Sequence, residues 1–351
     1  QQLQKHGIEH LVLEAGDKPA AAWRRLYDSL TLHTGKHLST LPDMAFPKDS
    51  PIFVPKDTFI EYLDHYVTHF ELPIKTGSQV NSLARNGSKW LLGTSAGEFT
   101  CEQLVIATGI ISSPKSPIFD GQKEFSGLIQ HSIHYKNPEP FRTKKVLVVG
   151  VGNSGGEIAS ELARNGVDVC IAVRSGARNV PLQMAGVPIQ YYGYLLRFLP
   201  KICTRITLFW LGLLARIVRG APVIPIPPPG DCSEVPLIGF NLANSIRQDL
   251  IRVFPGIKRF APNSVIFEDG REESFDHVLL ATGFSPAVEF MGEFERKNEC
   301  GFAERSDRVR SEQHSNLFFV GHNYDMTGGL SNIRQDSKLV GKAIKNRFAD
   351  A

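Results

Sequence analysis

A run of apolar, largely β-branched residues, Val146-Leu147-Val148-Val149, stops at Gly150-Val151-Gly152-Asn153-Ser154-Gly155. Glu157 to Arg164 then reads as a helix, closed by Asn165-Gly166. Strand, glycine turn and helix in that order leave a chain few choices. The glycines permit a tight turn and let backbone come close to a ligand and to the neighbouring strand. The helix N-terminus, with its unpaired amides and the positive end of its dipole, suits an anion. Together these features make a cradle for the pyrophosphate of a dinucleotide, built from Gly150, Gly152, Asn153, Ser154 and Gly155.

A chain of 351 residues has room for two domains of ordinary size, each with its own core. A formal charge of +3 gives no reason to expect nucleic acid as a partner. The five cysteines (Cys101, Cys170, Cys203, Cys232, Cys300) form no close pair. That spacing points to a reducing, cytoplasmic setting, to no metal site, and away from a disulfide-exchanging reductase. The apolar run Ile206 to Ala215 is too short to span a bilayer. The surrounding region 189–218 reads as amphipathic helix buried against the body of the protein, so membrane contact is not expected. Pro222 to Gly230 reads as a rigid connector, and Glu293 to Glu299 as a solvated charged face.

Displaced by 159 positions, the chain repeats itself. Leu162 to Asp168 lies over Leu3 to Glu9, each a helix end, a glycine cap and the start of a strand (Val167 to Val173; Ile8 to Leu13). Trp90 to Cys101 echoes Ser264 to Phe275, both short strands broken at turns, with Asn86-Gly87 and Asp269-Gly270 as hairpin turns. Each stretch leads into a buried strand ending in Ala-Thr-Gly, at Thr108 and at Thr282. The sequence is therefore expected to begin inside the first helix of an earlier nucleotide-binding unit and, as it stands, to hold that unit's nucleotide weakly.

The strand ends distinguish two ligands. The earlier unit's second strand stops at Glu14, placed for a carboxylate to bond both hydroxyls of a ribose. Its counterpart reads Val173-Arg174-Ser175, with Arg178 following. An acid repels a 2′-phosphate, whereas a guanidinium holds it in a bidentate pair. The first site thus suits FAD and the second NADPH; residues merely facing solvent are the plain alternative.

At Phe125 to Tyr135 the chain resembles the class B flavin-dependent monooxygenases: Phe125, Gly127 and His131 fit that family's F-x-G-x-x-x-H pattern just ahead of the glycine turn. Taken alone, His131 would read as a core histidine. Within the class, Trp23 to Asp28, Leu32 to Lys36, Leu41 to Pro47 and Val173 to Ser175 resemble the YUCCA type and its bacterial relatives. Amine- and sulfide-oxidising members carry Asn three positions before the lysine that aligns with Lys36; here that residue is His33, as in the YUCCA type.

The resemblance implies an α/β fold of two Rossmann-like, three-layer domains, the NADPH domain inserted in the FAD domain. Residues 1–112 and 284–351 form the FAD domain and 113–283 the NADPH domain. It implies an NADPH- and FAD-dependent monooxygenase that forms a C4a-(hydro)peroxyflavin and oxygenates a small molecule with O2. Oxidative decarboxylation of a 2-oxo acid such as indole-3-pyruvate is the expected reaction. The alternatives are N- or S-oxygenation, Baeyer–Villiger insertion, flavin reduction without oxygenation, and a non-catalytic NADPH-binding protein. His33 and His131 are the catalytic candidates. Trp23, Gly321 and Leu330 are placed near the flavin, with core packing or a plain turn as rivals. Thr108 and Thr282 serve either the ligands or the joints between domains. The helix from about Ser331 to Arg347 would present its N-terminus to the flavin ring. Oligomeric state is left open.

Overall fold

The computed structural model describes residues 1–110, 112–196, 221–227, 236–323, 325 and 327–349. The chain divides into two compact units, Gln1–Ser113 with Phe284–Ala351, and Pro114–Gly283.

The first unit opens with α1 (Gln2–Lys5), β1 (Val12–Leu13), α2 (Ala21–Arg24), α3 (Lys56–His69) and β2 (Ile74–Lys75). A meander of β3 (Val80–Asn86), β4 (Lys89–Thr94) and β5 (Gly97–Cys101) leads to β6 (Leu104–Ile106) and the short β7 (Ser113–Pro114). The second unit begins with β8 (Leu128–His131), β9 (Lys145–Val149), α4 (Asn153–Arg164) and β10 (Asp168–Ala172). Then come β11 (Asn179–Val180), β12 (Gln183–Met184), β13 (Val187–Pro188), α5 (Ile189–Leu196), β14 (Leu237–Ile238), α6 (Asn241–Arg247) and β15 (Ile251–Phe254). A second meander, β16 (Ile257–Ala261), β17 (Ser264–Phe267) and β18 (Glu272–Ser274), leads to β19 (His277–Leu280). The chain returns to the first unit through β20 (Phe284–Ser285), β21 (Leu317–Phe319) and α7 (Gly329–Ala349).

In the second unit five parallel strands pair in the order β15-β10-β9-β19-β8. Val146, Leu147 and Val148 of β9 are fully buried, as the centre of a parallel sheet covered on both faces requires. Leu147, Val149, Cys170, Phe254, Phe267 and Leu280 pack into one core. The helix of the glycine turn starts at Asn153, four residues earlier than its apolar pattern suggests, because its first turn carries glycines instead of apolar residues.

The first unit has the same parts with different pairing. Here β1 pairs only with β2 and β6 only with β21, both parallel, and no described strand lies between the two pairs. The strand expected over Ile8 to Leu13 shrinks to Val12–Leu13, bonded along one edge among the described residues, and Leu11 and Val12 are exposed. An aromatic core of Phe46, Phe59, Tyr62 and Tyr66 holds α3 against the loops. Phe318, Val340 and Ile344 form another between β21 and α7.

Three expectations change. Glu295 lies inside the supposed solvated face yet is buried, accepting from Ser311 Oγ at 3.1 Å. Burial pushes its carboxyl up to about 7. Cys101 and Cys170 are free thiols pushed up to about 11 by burial, but Cys300 is disulfide-bonded. The cysteines are therefore not all thiols, and the reducing compartment read from their spacing loses that support. The described start of the supposed amphipathic region, α5, buries Gln190 and Gly193 and leaves Leu195 exposed. Cys203, Cys232, the run Ile206 to Ala215 and the end of the proline-rich stretch lie outside the described residues. Among the described residues no helix is long and apolar enough to cross a membrane, and no cluster of side chains could hold a metal ion.

Candidate functional site

The second unit gathers its candidates at one edge of the sheet. Because β10, β9, β19 and β8 run parallel, with Ala172 and Leu280 both opposite Val149 and His131 opposite Leu280, all four strands end together. The glycine turn leaves β9 there. Gly150 has φ +104°, and a Cβ on it would come 2.5 Å from the Ala281 carbonyl oxygen; a Cβ on Gly155 would overlap the Gly150 carbonyl. Gly152 faces open space. The first helical bond of α4 runs from Gly156 N–H to Gly152 O at 2.9 Å, so the amides of Asn153, Ser154 and Gly155 precede it. Gly152 supplies no side-chain cap, which leaves that end of the helix open to an anion.

Arg174 and Ser175 follow β10 and are exposed, next to this turn. The bend after them is fixed by Ala177 N–H donating to Pro225 O at 3.0 Å. The side chain of Asn153 is spoken for: Oδ1 accepts from Ile238 N–H at 2.8 Å and Nδ2 donates to Pro236 O at 3.1 Å. Thr282 Oγ1 donates to Lys115 O. His131 is 5% exposed; its Nδ1 accepts from Ile133 N–H at 3.1 Å, so Nε2 carries the proton and donates to Gly283 O at 3.1 Å. Burial lowers the pKa of this ring, which favours its neutral form. His131 thereby ties the end of β8 to the Ala-Thr-Gly turn.

In the first unit, Glu14 follows β1 and its Oε1 accepts from Gly16 N–H at 2.8 Å. The chain then enters α2, which carries Trp23. That ring meets Phe59 edge-on at 4.6 Å and packs in the same cluster as Leu32 and Leu330. Leu330 is the second residue of α7, and the approach to α7 is tight: a Cβ on Gly328 (φ +89°) would lie 2.5 Å from Thr34 Oγ1. His33, half-buried, sits between Leu32 of the cluster and Thr34 of this contact. Trp23 and Leu330 thus pack against one aromatic cluster, and His33 adjoins that cluster in sequence. Gly321 (φ +80°) leaves β21, and Thr108, two residues after β6, donates from Oγ1 to Ala287 O at 2.7 Å. Sheet pairing joins the strands before Thr108 and Gly321, but not the strand before Glu14, among the described residues.

A buried polar network escaped the sequence reading. Asp336, with no exposed surface, accepts from Arg308 Nε at 2.6 Å, from Gly321 N–H at 3.1 Å and from Asn323 Nδ2 at 3.0 Å. Arg308 Nη2 also donates to Asn332 Oδ1, and Asn332 Nδ2 donates to Asp325 Oδ1 and Gly328 O, both at 3.1 Å. The loop between β21 and α7 is pinned at both ends. A signal was available: Asn332, Asp336, Val340 and Ile344 recur every four residues and all are buried, so polar side chains occupy a core-facing helical stripe.

The profile of the FMO-like family, described as flavin-binding monooxygenase-like, matches residues 14–301. The chain belongs to this family. It is a class B flavin monooxygenase, an oxidoreductase that uses FAD and NADPH and acts on a small molecule with O2. It is 32% identical over 300 residues to the probable indole-3-pyruvate monooxygenase YUCCA1 of Arabidopsis thaliana, covering 82% of this chain and 72% of that one. It is 33% identical over 299 residues to the indole-3-pyruvate monooxygenase YUCCA1 of Oryza sativa subsp. japonica, covering 82% and 73%. The solved flavin-containing monooxygenase from Stenotrophomonas maltophilia shares the fold, with TM-score 0.75, 20% identity and coverage of 99% and 93%.

The flavin monooxygenase's cofactors meet two different receptions. The open glycine turn and uncapped α4 of the second unit fit a pyrophosphate. In the first unit Glu14, Gly321 and the start of α7 are the candidates for FAD, and no described element there repeats β9 and its glycine turn.

Proposed function

We propose that the chain decarboxylates a 2-oxo acid such as indole-3-pyruvate oxidatively. The acid, O2, NADPH and a proton give the shortened carboxylic acid, CO2, NADP⁺ and water. The observation that carries this reading is His33, half-buried and next in sequence to Leu32 of the cluster that Trp23 and Leu330 pack against, at the position where the resemblance puts Asn in amine- and sulfide-oxidising members. The relatives named for indole-3-pyruvate point the same way.

When bound, NADPH supplies hydride and FAD accepts it and activates dioxygen. The chain's residues place, hold and shield. Residues 113–283 form the NADPH domain, inserted between the two segments of the FAD domain. Amides of Gly152 to Gly155 bind the NADPH pyrophosphate, and Arg174 with Ser175 holds its 2′-phosphate. Glu14 accepts from the FAD ribose hydroxyls. The N-terminus of α7, with Gly321 beside it, favours negative charge at the flavin ring. Trp23 and Leu330 keep water from the reacting face, and His33 orients the substrate. His131 serves as a positioning residue instead of a catalytic one, because backbone groups engage both ring nitrogens. Thr108 and Thr282 brace the Ala-Thr-Gly turns.

Incubation with indole-3-pyruvate, a thioether and a cyclic ketone in parallel tests the reading. Indole-3-acetate with one CO2 per NADPH is expected; a sulfoxide or lactone as the main product would overturn it.

A further inference from the structure

The segment Pro236 to Gly239 is bonded along both edges. On one edge Leu237 N–H donates to Arg178 O at 2.9 Å and Gly239 N–H to Val180 O at 2.8 Å, in parallel register with β11. On the other edge the alternate groups, Ile238 N–H and Pro236 O, go to the carboxamide of Asn153. That single side chain occupies the place a third strand's peptide would take. The Leu237 side chain, 3% exposed, lies flat on Gly156, where a Cβ would come 2.8 Å from Leu237 Cδ1. Asn153 and Gly156 both belong to the first turn of α4. So β14 is fastened to the helix end that opens at the glycine turn, and β14 in turn carries β11, which Arg178 precedes.

We propose that the Asn153 side chain is a positioning residue for nucleotide selectivity, holding the β11–β14 pair so that Arg178 meets the 2′-phosphate of NADPH. This rests on reading the second unit as the NADPH site. The chemistry singles out asparagine. Its amide offers a donor and an acceptor in peptide geometry; aspartate lacks the donor, and serine cannot span both partners. The backbone N–H of Asn153 stays available to the pyrophosphate, so one residue serves both ends of the dinucleotide. A two-residue strand pair is marginal by itself and depends on such a fastening.

Dissociation constants for NADPH and NADH, measured by calorimetry on the full chain, test the proposal. The unaltered protein should bind NADPH more tightly; if it does not, the reading of the site fails whatever Asn153 does. Given that preference, Asn153→Ala should weaken NADPH about tenfold and NADH less than about twofold. Adding Arg178→Ala should then cost little more, since the two act as a unit. Leu237→Ala loosens the same strand while leaving the Asn153 amide in place, and should lower the preference in the same direction. It carries the comparison if Asn153→Ala does not fold. Equal losses for both nucleotides, an unchanged preference, or full additivity with Arg178→Ala would overturn the proposal.

Discussion

The two units use one pattern of parts and are held together differently. In the second, β9 sits at the centre of five parallel strands, and the turns carrying Gly150, Arg174, Thr282 and His131 leave one sheet edge. Backbone pairing does the positioning there. In the first, β1–β2 and β6–β21 are separate pairs, and a buried carboxylate with its arginine pins the loop from Gly321 to Gly328 onto α7. The described contacts that fix these parts thus differ in kind between the units, so the two should fail in different ways.

The largest effect is expected from Asp336→Ala. It leaves Arg308 without its buried partner and should cost the first unit about 3–5 kcal/mol. A lowered first melting transition, with NADPH affinity of the second unit unchanged, is the expected result. Gly155→Val strikes the second unit instead. Its Cβ overlaps the Gly150 carbonyl, so about 2–4 kcal/mol of stability and nearly all NADPH binding should go, read by melting and calorimetry. Arg174→Ala is milder. It should weaken NADPH by about 1.5–3 kcal/mol and leave NADH almost untouched, as a lost guanidinium–phosphate pair would.

The effect that is smallest per pH unit concerns the first unit alone. Glu295, facing Ser311, Glu304, Arg305 and Glu312, titrates at about 7 in the folded chain against an ordinary 4.5. Its contribution is complete below 4.5 and is lost as pH rises through 7. His322 is buried between Phe302 and Phe319 near Arg305, and burial brings its pKa from 6.5 to about 4. Its contribution is complete above 6.5 and is lost as pH falls through 4. The two oppose each other across the acid range. Glu295→Gln should unmask the histidine limb, with stability rising by up to about 1.4 kcal/mol per pH unit between 4 and 6.5. Chemical denaturation at several pH values reads this directly.

The contrast also shows what a sequence can display. Glycine turn, both meanders, both Ala-Thr-Gly strands and the last helix were legible, because local turn chemistry and apolar periodicity specify them. The truncation of β1 was not, since pairing depends on a neighbour the local pattern does not name. The role of the Asn153 side chain was not legible either, because its partners, Pro236 and Ile238, lie more than eighty residues away. Glu295 looked solvated among charged neighbours, although it is buried and bonded to Ser311. Asp336 was hidden by its charge, despite standing in register with Val340 and Ile344.

The central claim is that one unit holds FAD and the other its phosphorylated reductant. The test is to mix the protein, kept saturated by excess FAD, with NADPH or NADH in the absence of oxygen and to follow the absorbance of the bound flavin. Bleaching should saturate at a much lower concentration of NADPH than of NADH, with that advantage sharply reduced in Arg174→Ala. No bleaching by either nucleotide, or equal bleaching by both in the unaltered protein, would contradict it.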